Sequence, residues 1–189
     1  KSYDDKRLKY FLSPSHSNLG EARRRAFGKA KGEYIAILDV DDLWEKDKLN
    51  KQIKLFKDRT VGIVISNVKI FNDNEEKPFF KSLPPSGYVF DNLLSNYYVC
   101  LPSLMVRKSY ADMLDYHFDS EFNYISDFDF ILRLSKKCKL IVCNEILAGW
   151  RVHGKNDTFK SPYNFVQETN KWINKQTANN IIDNNENKK

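Results

Sequence analysis

The chain is poor in the residues that build irregular or cross-linked proteins. Its 189 residues hold only 7 glycines, 6 prolines and 3 cysteines, which excludes collagen-like, low-complexity and disulfide-scaffold classes. Cys100, Cys138 and Cys143 form no C-x-x-C pair and leave one over in any disulfide scheme, so buried thiols in a reducing, cytoplasmic setting are the simpler reading. No apolar run approaches the roughly 20 residues needed to cross a bilayer, and the opening Lys-Ser-Tyr-Asp-Asp lacks the apolar stretch of a signal peptide. No internal repeat is visible. Neither sign of charge dominates: 31 basic against 25 acidic side chains leave +6, spread along the sequence, which favours anionic partners only weakly. Lys and Tyr are dispersed rather than interleaved in one patch, so a nucleic-acid face is not expected. The first residue is Lys rather than Met and the opening is mid-domain in character. The chain is therefore expected to be processed or to cover part of a longer protein.

What is present is 41% hydrophobic and 30% charged sequence, enough for one globular domain that buries about 70% of its unfolded surface. Arg7 to Leu12 alternates weakly and reads as a short strand, followed by a loop of Ser, Pro, His and Asn up to Gly20. A helix is expected from Glu21 to Lys31, with Ala22, Ala26, Phe27 and Ala30 inward and Gly32 as its stop. Tyr34 to Leu38 is continuously apolar, as in a strand buried on both faces of a parallel sheet. From Leu43 to Arg59, Trp44, Leu49, Ile53 and Phe56 recur at helical spacing. Val61 to Phe71 reads as a strand bent at Ser66-Asn67, and residues 72 to 88 as a long polar loop. Helices near Phe90 to Tyr97, Lys108 to Leu114 and Asp127 to Lys137, with strands around Ser103 to Val106 and Leu140 to Val142, complete an α/β pattern. A domain over residues 1–163 is expected, then a C-terminal helix and polar tail over 164–189 that frays after Gln176.

The apolar strand at 34–38 ends in Asp39-Val40-Asp41-Asp42, at the end of a strand where open α/β sheets bind ligands. In extended backbone Asp39 and Asp41 project to one side. Carboxylates gathered in this way repel unless a cation joins them, and Mg²⁺ or Mn²⁺, usually shared with a substrate phosphate, is the natural choice. Asp42 has a second reading, as a helix cap with Glu45 completing a capping box.

These residues resemble the family 2 glycosyltransferases of GT-A fold. Asn18-Leu-Gly20, Ala22-Arg23 and the run from Ala30 through Asp39-Val-Asp41-Asp42-Leu-Trp44 are similar to that family's loop, helix and D-x-D segment in order and spacing. Ser126-Asp127-Phe-Asp129 with Arg133 is similar to its acidic motif on the acceptor side. Leu147-Ala-Gly-Trp150-Arg151-Val-His153-Gly-Lys-Asn156 is similar to its segment over the donor diphosphate. The resemblance implies a GT-A type, Rossmann-like mixed sheet flanked by helices. This fold is N-terminally incomplete, because the family's opening nucleotide-binding strands have no counterpart here.

By resemblance the activity is inverting transfer of a sugar from a nucleotide-sugar donor to a saccharide or lipid-linked acceptor. Bacterial surface polysaccharide synthesis is the expected setting, in a cytoplasmic protein visiting the inner membrane surface. Asp41 is expected to hold the metal and Asp39 the ribose or nucleotide side. Asp42, Arg23 and Arg151 would contact the donor, and His153 would complete the metal shell or donate to the diphosphate. Asp127 is expected as the general base that takes the acceptor proton. Its alternative is structural: Ser126 capping the helix while Asp127 and Asp129 suit the helix amino end. That amino end would weaken Asp127 as a base, whereas Asp129 or burial beside Phe128 and Phe130 would strengthen it. Arg133 reads best as a salt-bridging anchor, and Arg24 and Arg25 as a solvated face. Two rivals are a Mg-dependent aspartyl phosphohydrolase and a non-catalytic domain binding anionic polymer. Against the first, Leu43 and Trp44 stand where that class wants a small hydroxyl residue.

Overall fold

A computed structural model describes residues 4–13, 15–154, 156 and 161–178. Pro14 of the early loop, Lys155 of the third motif and the tail beyond residue 178 lie outside them. Two long strands organise the rest. β3 (Val61–Phe71) and β6 (Lys139–Arg151) run parallel, from Val61 opposite Lys139 to Phe71 opposite Arg151. β3 is continuously apolar at its start because both faces are covered. Ile63 and Ile65 enter the main core, and Val61 and Val64 a second cluster with Phe56 and Met105. Its register shifts around Ser66 and Asn67, where the sequence expected a bend. There the Asn67 side chain accepts the Val68 and Phe80 N–H groups and donates to Phe80 O, satisfying backbone that the irregularity takes out of the ladder.

The sheet is mixed. β1 (Tyr34–Ala36), β5 (Met105–Arg107), β3, β6 and β2 (Leu43–Trp44) lie in that order, and β4 (Glu76–Pro78) pairs with the outer part of β3. Helices α1 (Leu19–Lys29), α2 (Lys48–Ile53), α3 (Phe90–Ser95), α4 (Lys108–Ala111), α5 (Ser126–Ser135) and α6 (Pro162–Ala178) complete it. The main core is aromatic. Phe118 and Phe130 stack with ring centres 4.4 Å apart, and Phe27 meets both edge-on.

Several local expectations are corrected. Residues 7–12 form no strand, and Leu8, Tyr10, Phe11 and Leu12 are exposed. β1 pairs antiparallel with β5 rather than joining a parallel array. It is apolar on both sides because Ile35 and Ile37 pack on the main core while Tyr34 and Ala36 pack on the second cluster. In α1 the buried residues are Gly20 and Phe27, and Ala22 and Ala26 stay outside. β6 extends far beyond Leu140–Val142 because its partner β3 continues for the same distance.

The helix expected over 43–59 is broken into β2, α2 and a 3-10 turn at Lys54–Lys57. Leu49 and Ile53 remain 46% and 47% exposed, while Lys48 and Gln52 are fully buried. These polar residues go inside because they satisfy one another and the turn beneath. Lys48 Nζ donates to Gln52 Oε1 at 2.7 Å and Leu104 O at 3.5 Å, and Gln52 Nε2 donates to Ser103 O at 2.7 Å. The ammonium also lies 4.5 Å from the Trp44 ring centre, a cation–π contact.

Burial pushes the Lys48 ammonium down to about 7 from the ordinary 10.5. Between those values the unfolded chain holds a proton that the folded chain releases, so stability rises with pH. The penalty is fully present below about 7 and gone above about 10.5. In urea unfolding, the stability of wild type relative to Lys48→Met is expected to improve by about 1–3 kcal/mol between pH 7 and 9. A flat difference over that range would refute the buried-cation account.

Candidate active site

The β2–β6 pairing is what assembles the site. Leu43 and Trp44 lie opposite Gly149 and Ala148, so the acidic turn that precedes β2 comes beside the end of β6. The turn is closed by Asp42 N–H to Asp39 O at 3.2 Å. Asp42 does not cap a helix, since a strand follows it. Its Oδ1 accepts the Arg151 N–H at 3.0 Å, and Arg151 Nε donates to Asp41 O at 3.1 Å. The Arg151 guanidinium also sits over the Phe71 ring, 4.6 Å from its centre. Only 8% of Asp42 is exposed. Burial pushes its carboxyl up to about 6, with Asp41 and Asp39 adding to the rise and the Arg151 N–H and guanidinium opposing it.

Asp41 Oδ2 lies 3.0 Å from His153 Nε2, both half-exposed. Asn156 shapes this end of the chain: its Oδ1 accepts the His153 N–H at 2.6 Å and its Nδ2 donates to Arg151 O at 3.1 Å. Among the described residues no group of three or more His, Cys, Asp or Glu side chains is arranged to hold a metal. The Asp41–His153 pair supplies two donors. Their separation fits adjacent corners of an octahedron with bonds of about 2.1 Å, which puts neighbouring ligands about 3 Å apart, and Mg²⁺ commonly takes its other ligands from phosphate and water. The donor set therefore fits such an ion.

The other half of the site is built by α1 and α5. Asn18 caps α1 through Oδ1 to the Glu21 N–H at 2.8 Å and donates to Ser120 O at 2.7 Å. Gly20 lies so close to the Asp119 and Phe122 carbonyls that any Cβ there would collide with backbone, which explains the Asn-x-Gly spacing physically. This packing aims Arg23, 13% exposed, at both motifs. Its Nη1 donates to Ser126 Oγ at 2.9 Å and lies 3.7 Å from Asp127 Oδ1, and its Nη2 reaches Asp39 Oδ2 at 3.3 Å. Arg23 Nε is buried without a hydrogen-bond partner among the described residues.

Asp127 retains 22% of its side-chain exposure. Its carboxyl is pushed upward: burial is the leading cause and Asp39 adds to it, while Arg23 and the Asp127 and Phe128 amides oppose it. Burial thus prevails over the helix amino end. Asp129 turns away and is gripped by Arg133 on the same helix and by Trp172 Nε1 at 2.9 Å. Ser126 does not cap the helix either; Ile125 holds the N-cap position and Ser126 Oγ serves Arg23. The remaining arginines behave as a surface: Arg25 pairs with Glu21 at 2.7 Å, and Arg24 reaches Ser120 Oγ at 3.4 Å.

Three participants carry no periodic or motif signal in the sequence. Tyr97, in the segment after α3, places its OH 3.5 Å from Asp127 Oδ2, and burial together with Asp127 raises this phenol well above its ordinary value. Cys100 is buried where Asp42, Asp127 and Asp39 all act on it, and burial first and these charges second push its thiol upward. Glu168, on α6, binds the backbone just before α5. Cys138 is buried and Cys143 half-buried, and all three thiols are free.

Comparison with known proteins points the same way. A family model described as glycosyl transferase family 2 matches residues 1–113. An uncharacterized glycosyltransferase of Methanocaldococcus jannaschii is 26% identical over 183 residues, covering 91% of this chain and 62% of the relative. The amylovoran biosynthesis glycosyltransferase AmsB of Erwinia amylovora is 30% identical over 162 residues, covering 79% of this chain and 52% of AmsB. Among solved structures, S. aureus TarS in complex with UDP superposes with a TM-score of 0.54 at 17% identity, covering 79% of this chain and 42% of that one. TarS in complex with UDP-GlcNAc gives 0.55 at 15% identity. These structures share the fold, which is that of GT-A glycosyltransferases. The chain spans about half the length of such relatives. With a mixed sheet of this order and a family match over more than half of its sequence, the chain belongs to glycosyl transferase family 2.

Proposed function

We propose that this protein transfers a sugar from a nucleotide-diphosphate donor to an acceptor hydroxyl with inversion, within polysaccharide or glycoconjugate synthesis. The observation that carries the reading is the chain of contacts from Asp127 through Arg23 to Asp39, continued by the acidic turn to Asp41 and His153. A base and a set of diphosphate-binding groups thereby share one region. AmsB is named for amylovoran biosynthesis, and the E. coli relative WfgD, 30% identical over 94 residues, for glucosyl transfer from UDP-Glc to a diphosphoundecaprenol-linked GlcNAc. The acceptor proposed here is accordingly a saccharide, free or lipid-linked. No helix among the described residues is long and apolar enough to cross a membrane. The proposed setting is a cytoplasmic protein meeting a lipid-linked acceptor at the membrane surface.

In the mechanism, Asp127 takes the proton of the acceptor hydroxyl as its oxygen bonds to the anomeric carbon and the bond to the donor phosphate breaks. Its raised basicity suits that task. Arg23 holds Asp127 and Asp39 in register, and Asp39 faces the ribose side. Arg151, fixed by the Asp41 carbonyl and stacked on Phe71, offers positive charge to the diphosphate. Asp41 and His153 are the residues to hold Mn²⁺ or Mg²⁺. When bound, such an ion stabilises the charge growing on the departing diphosphate.

A screen of nucleotide sugars for Mn²⁺-dependent thermal stabilisation of the full-length protein tests this. One donor at about 100 times its Kd is expected to add about 2.7 kcal/mol of stability, and Asp41→Ala should lose most of that gain. Equal stabilisation of Asp41→Ala and wild type would remove the metal role, and no stabilisation by any nucleotide sugar would remove the donor.

A further inference from the structure

An aspartate at a helix amino end faces unpaired amides whose positive field favours its ionised form and weakens it as a base. In this protein the backbone entering α5 is already occupied from outside. Glu168, on α6, accepts three consecutive N–H groups, those of Asn123 at 2.9 Å, Tyr124 at 2.8 Å and Ile125 at 3.2 Å. Ile125 is the N-cap residue of α5 and has no side-chain cap of its own. The carboxylate of a distant helix therefore holds the N-cap amide and the two before it, while the amides a capping side chain would take, those of Asp127 and Phe128, stay with Asp127 itself.

Glu168 is held there by its neighbours on α6. One turn later, Trp172 donates to the buried Asp129 at 2.9 Å, in the first turn of α5. One turn earlier, Asn164 Nδ2 donates to Tyr124 OH at 3.0 Å. Lys175 binds Asp119 at 2.6 Å and Glu121 at 2.9 Å, closing the far side of the same loop. α6 is thus fastened both to the helix that bears Asp127 and to the turn that leads into it.

We propose that Glu168 is a positioning residue for Asp127: by gripping the N-cap amide of α5 and the two amides before it, it fixes where the base stands and places a negative charge at the helix opening. The inference rests on the reading of Asp127 as the base. The groups facing Asp127 are Arg23 from α1, Asp39 from beyond β1, and Tyr97 and Cys100 from the segment after α3. On its own helix Asp129 is turned to Arg133 and Trp172. Glu168 adds a negative charge on the amide side. Removing that charge leaves the helix opening less compensated and favours the carboxylate form of Asp127.

The test follows the Asp127 carboxyl by carbon-13 NMR in the full chain, its resonance assigned by loss in Asp127→Asn. In Glu168→Gln the midpoint of Asp127 is expected to fall by about half a pH unit or more, with faster hydrogen exchange at the amides of 123–125. In Glu168→Asp, which keeps the charge but withdraws it from the amides, a smaller fall of the same sign is expected. A residue that merely holds the fold would lower the melting temperature without moving this midpoint. An unmoved midpoint in whichever of the two variants folds overturns the proposal. The titration needs no donor or acceptor, so its failure leaves the glycosyl-transfer reading untouched. Absence of transfer activity would equally leave this result standing.

Discussion

Asp127→Asn is expected to lower the turnover of sugar transfer by about 10²–10⁴-fold, the usual worth of a positioned general base. The substitution keeps the shape of the side chain. It also keeps an acceptor within reach of Arg23 and leaves the Arg23–Ser126 hydrogen bond alone. It removes only the ability to take a proton. Donor binding should survive, because Asp41, Arg151 and His153 lie on the other half of the site, so the loss should appear in kcat with little change in the donor KM. Folding should survive as well, since the change replaces a partly buried carboxylate, already pushed upward by desolvation, with a neutral group. The measurement is steady-state transfer with the donor found by thermal stabilisation, with unfolding of the variant followed in parallel. Activity within fivefold of wild type would take the base role from Asp127.

The largest stability effect is expected from Arg133→Leu. Arg133 donates to both oxygens of Asp129, with Nη2 to Oδ2 at 2.5 Å, and to the carbonyls of Tyr116 and His117 at 2.8 and 2.6 Å. Asp129 is fully buried. Losing the guanidinium leaves a carboxylate in the core and two carbonyls without donors, and breaking such a pair costs about 3–5 kcal/mol. Urea unfolding of Arg133→Leu reads this directly, and a loss below about 1 kcal/mol would contradict the account. Removing Asp129 as well should restore part of the loss, because the unpaired charge goes with it. The pair matters beyond stability, since it fixes α5 one turn past Asp127.

Much of the chain was legible before folding was considered. The strand at Val61–Phe71, its bend at Ser66-Asn67 and the aspartates closing an apolar segment are local patterns, and local patterns report local burial and local hydrogen bonding. The spacing of Asn18, Gly20 and Arg23 was legible only as a resemblance; its physical reasons, a helix cap, a close approach to the Asp119 and Phe122 carbonyls and a reach to Ser126, came from the fold. Misreadings arose where burial was inferred from residue type. Leu49 and Ile53 lie outside and Lys48 and Gln52 inside, because polar side chains that satisfy one another and the Ser103–Leu104 carbonyls can be buried at little cost.

Tertiary structure alone decided who meets whom. Asp39, Arg23 and Asp127 come from three separate elements, and Tyr97 and Glu168 reach Asp127 or its helix from segments with no motif at all. The side-chain alternation that marks a strand states which face is apolar but not which strand lies beside it. The antiparallel place of β1 and the length of β6 followed from their partners. Residue chemistry in this sequence determines what each segment can bind. The return path of the backbone determines which of those capacities are brought within 4 Å of one another, because contact between distant residues is set by packing of whole elements and not by any property of the residues in between.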